Sequence, residues 1–276
     1  MFAASDGMAC RSLRHRGEEL LGAVTGPGVP DVPWISGIPL LHPWANRLGG
    51  FAYAFDGSMV ALAPGSPDIY LEEHGLPLHG LRTAVSGWEV LERSERHLVA
   101  GREFRDVPEF PFDHRLEVAA ELSASTLSLT TTITARSRPV PLAFGYHPFL
   151  QLPGVPRAEW HITLPVGDRL LLDERHVPTG ERAPAGDLDG PLGERTFDDG
   201  FTLDALRGPF VLSGGGRRIE VAFESGYPYA QVFAPRIADV ICFEPMTAPA
   251  DALRHSPDAV APGQAFSARF SVSVAA

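Results

Sequence analysis

Leu127-Ser128-Leu129-Thr130-Thr131-Thr132-Ile133-Thr134 carries two rows of side chains that alternate residue by residue. Leu127, Leu129, Thr131 and Ile133 form one row; Ser128, Thr130, Thr132 and Thr134 form the other. Successive side chains of a strand point to opposite faces, so the stretch predicts a half-buried antiparallel strand. The same period recurs on both sides of it. Leu116, Val118 and Ala120 alternate with Arg115, Glu117 and Glu121. Ile219, Val221 and Phe223 alternate with Arg218, Glu220 and Glu224. Near the end, Phe266, Ala268, Phe270, Val272 and Val274 alternate with Ser267, Arg269, Ser271 and Ser273. No segment of about 12 residues or more shows a 3.6-residue apolar period. The 28 Gly and 26 Pro are scattered and cut the chain into short pieces, as turns between many strands would. Gly180–Gly193 is rich in Gly, Pro, Asp and Arg and reads as a loop. Strand-like pieces lie close on both sides of it, so it does not read as a domain linker. No solenoid or propeller repeat is present. These features predict one all-β domain over residues 1–276, with two large antiparallel sheets packed as a sandwich.

The bulk numbers narrow the function. The 276 residues are 44% hydrophobic and 21% charged, an ordinary globular composition. A chain of this length buries roughly three quarters of its unfolded surface, enough for a rigid cleft. The net charge of −11, from 23 Lys+Arg against 34 Asp+Glu, argues against nucleic acid and against an anionic membrane surface as partners. A neutral small molecule fits better. Cys10 and Cys242 match no metal spacing and read as reduced thiols. Arg11, Arg14 and Arg16 are followed only by the short apolar piece Leu20–Val24. No run approaches the roughly 20 apolar residues of a membrane span. The expected location is the cytoplasm.

Several segments set polar groups among strand-like apolar residues. His147 sits within Ala143-Phe144-Gly145-Tyr146-His147-Pro148-Phe149-Leu150, and an imidazole titrates near neutrality. Glu244 closes the apolar run Val240-Ile241-Cys242-Phe243. Period two puts it on one face with Val240 and Cys242, where burial raises a carboxyl pKa and suits acid–base work. Asn46 and Arg47 follow Trp44 and precede a Gly-Gly turn; the guanidinium fork suits sugar hydroxyls or a carboxylate. His79 precedes Gly80, which permits close backbone approach. Asp198 and Asp199 lie between Phe197 and Phe201, and Gln231 shares a strand face with Tyr229 and Phe233. Taken singly, each has a plainer structural reading: a core or turn histidine, a strand-end glutamate, a loop arginine, an Asp-Gly turn. No Walker, Rossmann or G-x-S-x-G signature occurs. The ten His have no helical H-x-x-x-H and the chain no C-x-x-C, so no metal is expected.

Taken together and in order, these segments resemble the aldose 1-epimerase (galactose mutarotase) family. The matching pieces are Ala45-Asn46-Arg47, Leu78-His79-Gly80-Leu81 with Trp88 downstream, and His147-Pro148-Phe149-Leu150. Phe197-Asp198, Gln231-Val232-Phe233, and Phe243-Glu244-Pro245-Met246-Thr247 with Asp251-Ala252 complete the set. The resemblance implies the galactose mutarotase-like supersandwich, a large antiparallel β-sandwich, and an isomerase that interconverts α and β anomers of a free sugar. It implies Glu244 as base and His147 as acid, the histidine protonated and the glutamate ionised in one state. Arg47, His79, Asp198, Gln231 and Asn46 are the implied sugar contacts, with Asp199 as the alternative register for Asp198. Trp44, Tyr229 or Phe233 is the expected stacking platform. The reaction needs no cofactor. The segment after His147 and the residue Asp199 depart from the family's usual pattern, which suggests a divergent bacterial branch and bears on the sugar accepted. A hexose 6-phosphate mutarotase, for which Arg82 and Arg236 are candidate phosphate contacts, and a non-catalytic sugar binder on the same fold are the alternatives. Oligomeric state is not indicated.

Overall fold

The computed structural model of the chain describes residues 1–26, 32, 34–203, 208–255 and 257–275. The four alternating stretches lie in one nine-stranded antiparallel sheet. Its order is Glu89–Arg93, His97–Phe104, His114–Leu122, Thr126–Ala135, Ala265–Ala275, Arg217–Ser225, Phe210–Gly214, His161–Thr163 and Gly190–Pro191. Register sets Leu129 opposite Phe270 and Phe270 opposite Phe223, so the apolar rows of neighbouring strands line up on one face. The second sheet has eight strands. Along it run Pro178–Pro184, Val166–Leu172, Phe197–Leu203, Tyr229–Ala234, Ile241–Met246, Gly145–Tyr146 and Leu40–Leu41, with Phe149–Leu150 also paired to Ile241–Met246. The helical pieces among the described residues are 3-10 turns of three or four residues. No helix of the described residues is long and apolar enough to cross a membrane.

The sheets meet across a continuous apolar core. The rings of Phe210 and Phe243 lie 5.2 Å apart, and those of Tyr146 and Phe270 5.0 Å apart. The hydroxyls of Thr131 and Tyr146 pair at 2.6 Å inside it, which satisfies two polar groups that burial would otherwise leave costly. The expected all-β, two-sheet architecture is the observed one. The expected loop is not. Pro178–Pro184 pairs with Val166–Leu172 as an edge strand of the smaller sheet, and Gly190–Pro191 closes the larger one. The first is mostly exposed. With neither face on a core, it has no apolar alternation for the sequence to display.

The smaller sheet places the site. Phe197, Phe201, Ala230, Val232, Ala234, Ile241 and Phe243 belong to the core between the sheets. The alternate residues Asp198, Gln231, Phe233, Cys242 and Glu244 face away from that core. Their face is flanked by two small apolar clusters. One is built on Val32, Trp34, Leu41, Ala45 and Met246, the other on Val24, Phe149, Val240 and Cys242. Both cysteines are buried and free.

Candidate active site

Strand register gathers the late residues. Gln231 lies opposite Glu244, and Asp198 opposite Phe233. His147 arrives from a third chain segment. Gly145 pairs with Met246, and Phe149 with Cys242. His147 sits midway between these pairings, so the antiparallel count brings it level with Glu244. Nε2 of His147 is 3.3 Å from Oε1 of Glu244. Phe149 stacks flat on the imidazole, with centroids 4.2 Å apart and planes 3° apart, and Phe233 meets it edge-on at 5.5 Å.

The early residues come from two turns that grip each other. The peptide N–H of His79 donates to the Asn46 carbonyl at 3.1 Å, and the Asn46 N–H donates to Nδ1 of His79 at 3.2 Å. Both residues adopt positive φ, +57° at Asn46 and +60° at His79. Gly80 follows with φ +79°, and a Cβ there would stand 2.2 Å from the His42 carbonyl oxygen. Only glycine fits both the conformation and the space. The Nδ1 contact also sets the tautomer: an Nδ1 that accepts leaves the proton on Nε2 of a neutral ring. Asp251 holds the Asn46 turn from below. Its N–H donates to the Arg47 carbonyl at 2.7 Å, and its buried carboxylate accepts the Gly49 N–H at 2.7 Å.

Arg47 links the two groups of residues. Its Nε donates to Glu72 at 3.2 Å and its Nη2 to Asp198 at 3.3 Å. The Gln231 amide donates to the other oxygen of Asp198 at 2.7 Å. Glu244 and His147 are almost wholly enclosed, with 1% and 6% of their surface exposed. Glu244 Oε2 and His147 Nδ1 have no hydrogen-bond partner. Burial lowers His147 to about 3, with Asp198 pulling the other way. Burial raises Glu244 well above the ordinary carboxylate value; Asp198 adds to that rise and Arg47 opposes it. Burial therefore pushes both members of the pair toward their neutral forms. Desolvation thus works against the ionised pair expected from the sequence, since it penalises both charges. Burial likewise holds His79 well below its usual value, reinforced by His147 and Arg47.

Asn46, Arg47, His79, His147, Asp198, Gln231 and Glu244 all line one cleft of about 310 Å³, at the small end of the range for small-molecule sites. Asp199 does not line it; it lies by Arg169, 3.6 Å away. The expected stacking residues divide. Phe233 lines the cleft. Trp44 is buried in the main core and Tyr229 lines an adjoining pocket. Trp34 and Tyr70 supply the aromatic wall instead, their rings 5.5 Å apart. Neither candidate phosphate contact lines the cleft. Arg82 lies over the Trp34 ring and Arg236 pairs with Glu194 at 3.3 Å. Among the described residues Arg47 is the cleft's one lining cation. Sequence reasoning missed Glu72, whose stretch Glu72-Glu73-His74-Gly75 reads as a polar turn. It also gave Asp251 no role beyond its place in a matching segment.

A family model described as aldose 1-epimerase matches residues 25–273. No curated protein matches significantly. Solved structures do. A galactose mutarotase-like protein from Clostridium acetobutylicum superposes with a TM-score of 0.84 at 16% identity, over 99% of this chain and 91% of that one. An aldose epimerase homologue from C. elegans gives 0.80 at 16%, over 98% and 94%. A galactose 1-epimerase from Lactobacillus acidophilus gives 0.75 at 15%, over 98% and 89%. At such identities the likeness shows a common fold.

Proposed function

The chain belongs to the aldose 1-epimerase family, and from that premise we propose that it interconverts the α and β anomers of a free, uncharged aldose, with Glu244 as general base and His147 as general acid. The observation that carries this reading is the enclosed His147–Glu244 pair, 3.3 Å apart at the floor of a sugar-sized cleft. Ring opening needs two proton transfers. Ionised Glu244 takes the proton of the anomeric hydroxyl, the C1–O5 bond breaks, and protonated His147 gives its Nε2 proton to the ring oxygen. The products are the open-chain aldehyde, a neutral glutamic acid and a neutral imidazole. Rotation about C1–C2 presents the other carbonyl face, and the same transfers run backwards.

Burial pushes both groups toward neutrality, and the neutral pair is the one left beside the open-chain sugar. One proton passed between Nε2 and Oε1 separates it from the ionised pair that starts the reaction. The carbonyl intermediate therefore meets a site whose charge state already suits it. Positioned acid–base groups contribute typically 10²–10⁴-fold each, enough for a reaction that water already performs. Asp198, Gln231, Arg47, Asn46 and the Nε2–H of His79 offer hydrogen bonds to hydroxyls. Trp34, Tyr70 and Phe233 offer apolar faces for the C–H side of the ring.

An uncharged sugar is favoured over a sugar phosphate because Arg47 already serves Glu72 and Asp198. Polarimetry over glucose, galactose and their 6-phosphates tests both parts. Wild-type protein should speed mutarotation of a neutral sugar, and Glu244→Gln should abolish the effect. Full activity in Glu244→Gln would overturn the base assignment, and a preference for the phosphates would overturn the uncharged substrate.

A further inference from the structure

Two turns of similar build face each other beside Asp198. In the first, the Glu72 carboxylate accepts the N–H of His74 at 2.9 Å and of Leu76 at 3.1 Å. In the second, the Asp173 carboxylate accepts the N–H of Arg175 at 2.8 Å and of Val177 at 3.0 Å. Each turn is thus tied internally, and each projects a histidine. The rings of His74 and His176 lie 5.3 Å apart. Glu73 joins them, with Oε1 3.7 Å from Nε2 of His74. One donor atom from each of Glu73, His74 and His176 lies within 4.8 Å of the other two. Nδ1 of His176 is buried without a hydrogen-bond partner, and Asp198 Oδ2 stands 3.7 Å from it. That nitrogen has a charged neighbour at ion-pair distance but makes no hydrogen bond in the fold.

We propose that Glu73, His74 and His176 form a binding site for a late first-row divalent cation, Zn²⁺ being the probe of choice, and that its occupancy slows the enzyme. Two imidazoles and one carboxylate are a donor set suited to zinc, copper or nickel and ill suited to magnesium or calcium, which prefer oxygen alone. Three protein ligands leave a fourth position for water. The spacing is somewhat wider than a closed tetrahedral site, so binding draws the two turns together. The first turn holds Glu72, the partner of Arg47, and the second faces Asp198. The ion would therefore staple the cleft's rim and set a divalent charge beside a sugar-binding carboxylate. It takes no part in proton transfer, and its inhibitory effect rests on the function proposed above. The sequence expectation of no metal came from local spacing. Here the ligands come from two turns far apart in the chain, which no local motif records.

Chelator-treated protein titrated with ZnCl₂ by calorimetry tests the site without reference to activity. Wild type should bind one equivalent, and His74→Asn and His176→Asn should each weaken it by about tenfold or more. Co²⁺ should give d–d absorption of a tetrahedral histidine site in wild type and lose it in the variants. Absence of binding in wild type, or undiminished binding in both variants, overturns the site. Zinc should also slow sugar mutarotation by wild type and leave His74→Asn unaffected. Zinc that binds at these residues without slowing the reaction overturns the inhibitory role and leaves the mutarotase reading standing.

Discussion

Nε2 of His147 meets Oε1 of Glu244 at 3.3 Å because pairings on both sides of the histidine share one register, Gly145 with Met246 and Phe149 with Cys242. The pair holds one proton between two groups that burial drives toward neutrality. Gaining a second proton requires His147 to titrate far below the usual histidine range. Losing the shared proton requires Glu244 to ionise well above the usual carboxylate range. The pH profile of kcat/KM should therefore show no acid limb as pH falls from about 7 through the ordinary histidine range. An acid limb near 6.5, the value of a free imidazole, would show that His147 titrates as if unburied.

Glu244→Gln should lower kcat by about 10²–10⁴-fold and raise stability by about 1 kcal/mol, since the amide keeps the shape and removes an enclosed ionisable group. Thermal melting and polarimetry on the same preparation check both halves. A fall in melting temperature would mean that Glu244 supports the fold.

Glu72 does not line the cleft; it orients Arg47 through the 3.2 Å contact to Nε. Glu72→Gln should raise KM about threefold to tenfold with kcat nearly unchanged, the mark of weakened uniform binding. Arg47→Lys should cost more, because an ammonium cannot span Glu72 and Asp198 as a guanidinium does. Equal losses of kcat and kcat/KM in Glu72→Gln would contradict a positioning role.

His79 accepts the Asn46 N–H on Nδ1 and is held neutral by burial. ¹⁵N NMR should show Nδ1 unprotonated and Nε2 protonated at about pH 7, with no titration at the ordinary histidine value of about 6.5. His79→Phe preserves a flat ring and removes the donor, so KM should rise about tenfold, the cost of one good hydrogen bond.

Four buried imidazoles shape the acid stability. His42 and His79 are held well below their usual value, His114 near 4 and His147 near 3, burial being the first cause in each. The unfolded chain binds protons at these positions below about 6.5, while the folded chain does not. Stability is therefore full above that pH and falls as pH drops through it toward the folded values. Glu244, Asp68 and Asp199, raised in the fold by burial, work in the opposite sense against the four imidazoles. Urea midpoints at pH 7, 6 and 5 should fall steadily, and a flat series would mean that the imidazoles titrate inside the fold.

The larger sheet was legible because each of its central strands buries one row of side chains, as Leu116, Val118 and Ala120 do. Pro178–Pro184 was not, since an exposed edge strand leaves composition free. The seven candidate residues stood out in the sequence only as a set, and one cleft gathers all seven; the roles given them belong to the proposal. Which tryptophan forms the wall was not: Trp34 and Trp44 both sit near prolines, and only the packing sends Trp44 to the core. Glu72 escaped because its task is defined by Arg47, which lies in a different turn.

The smaller sheet's central strands carry core on one face and chemistry on the other, residue by residue: Phe243 inward and Glu244 outward, Val232 inward and Gln231 outward. A one-residue deletion in Ile241–Met246 would exchange these faces, driving a carboxylate into the apolar interior and a phenyl ring into the cleft. The gene can therefore tolerate substitutions in these strands more readily than changes of length, and insertions should be confined to the turns between them.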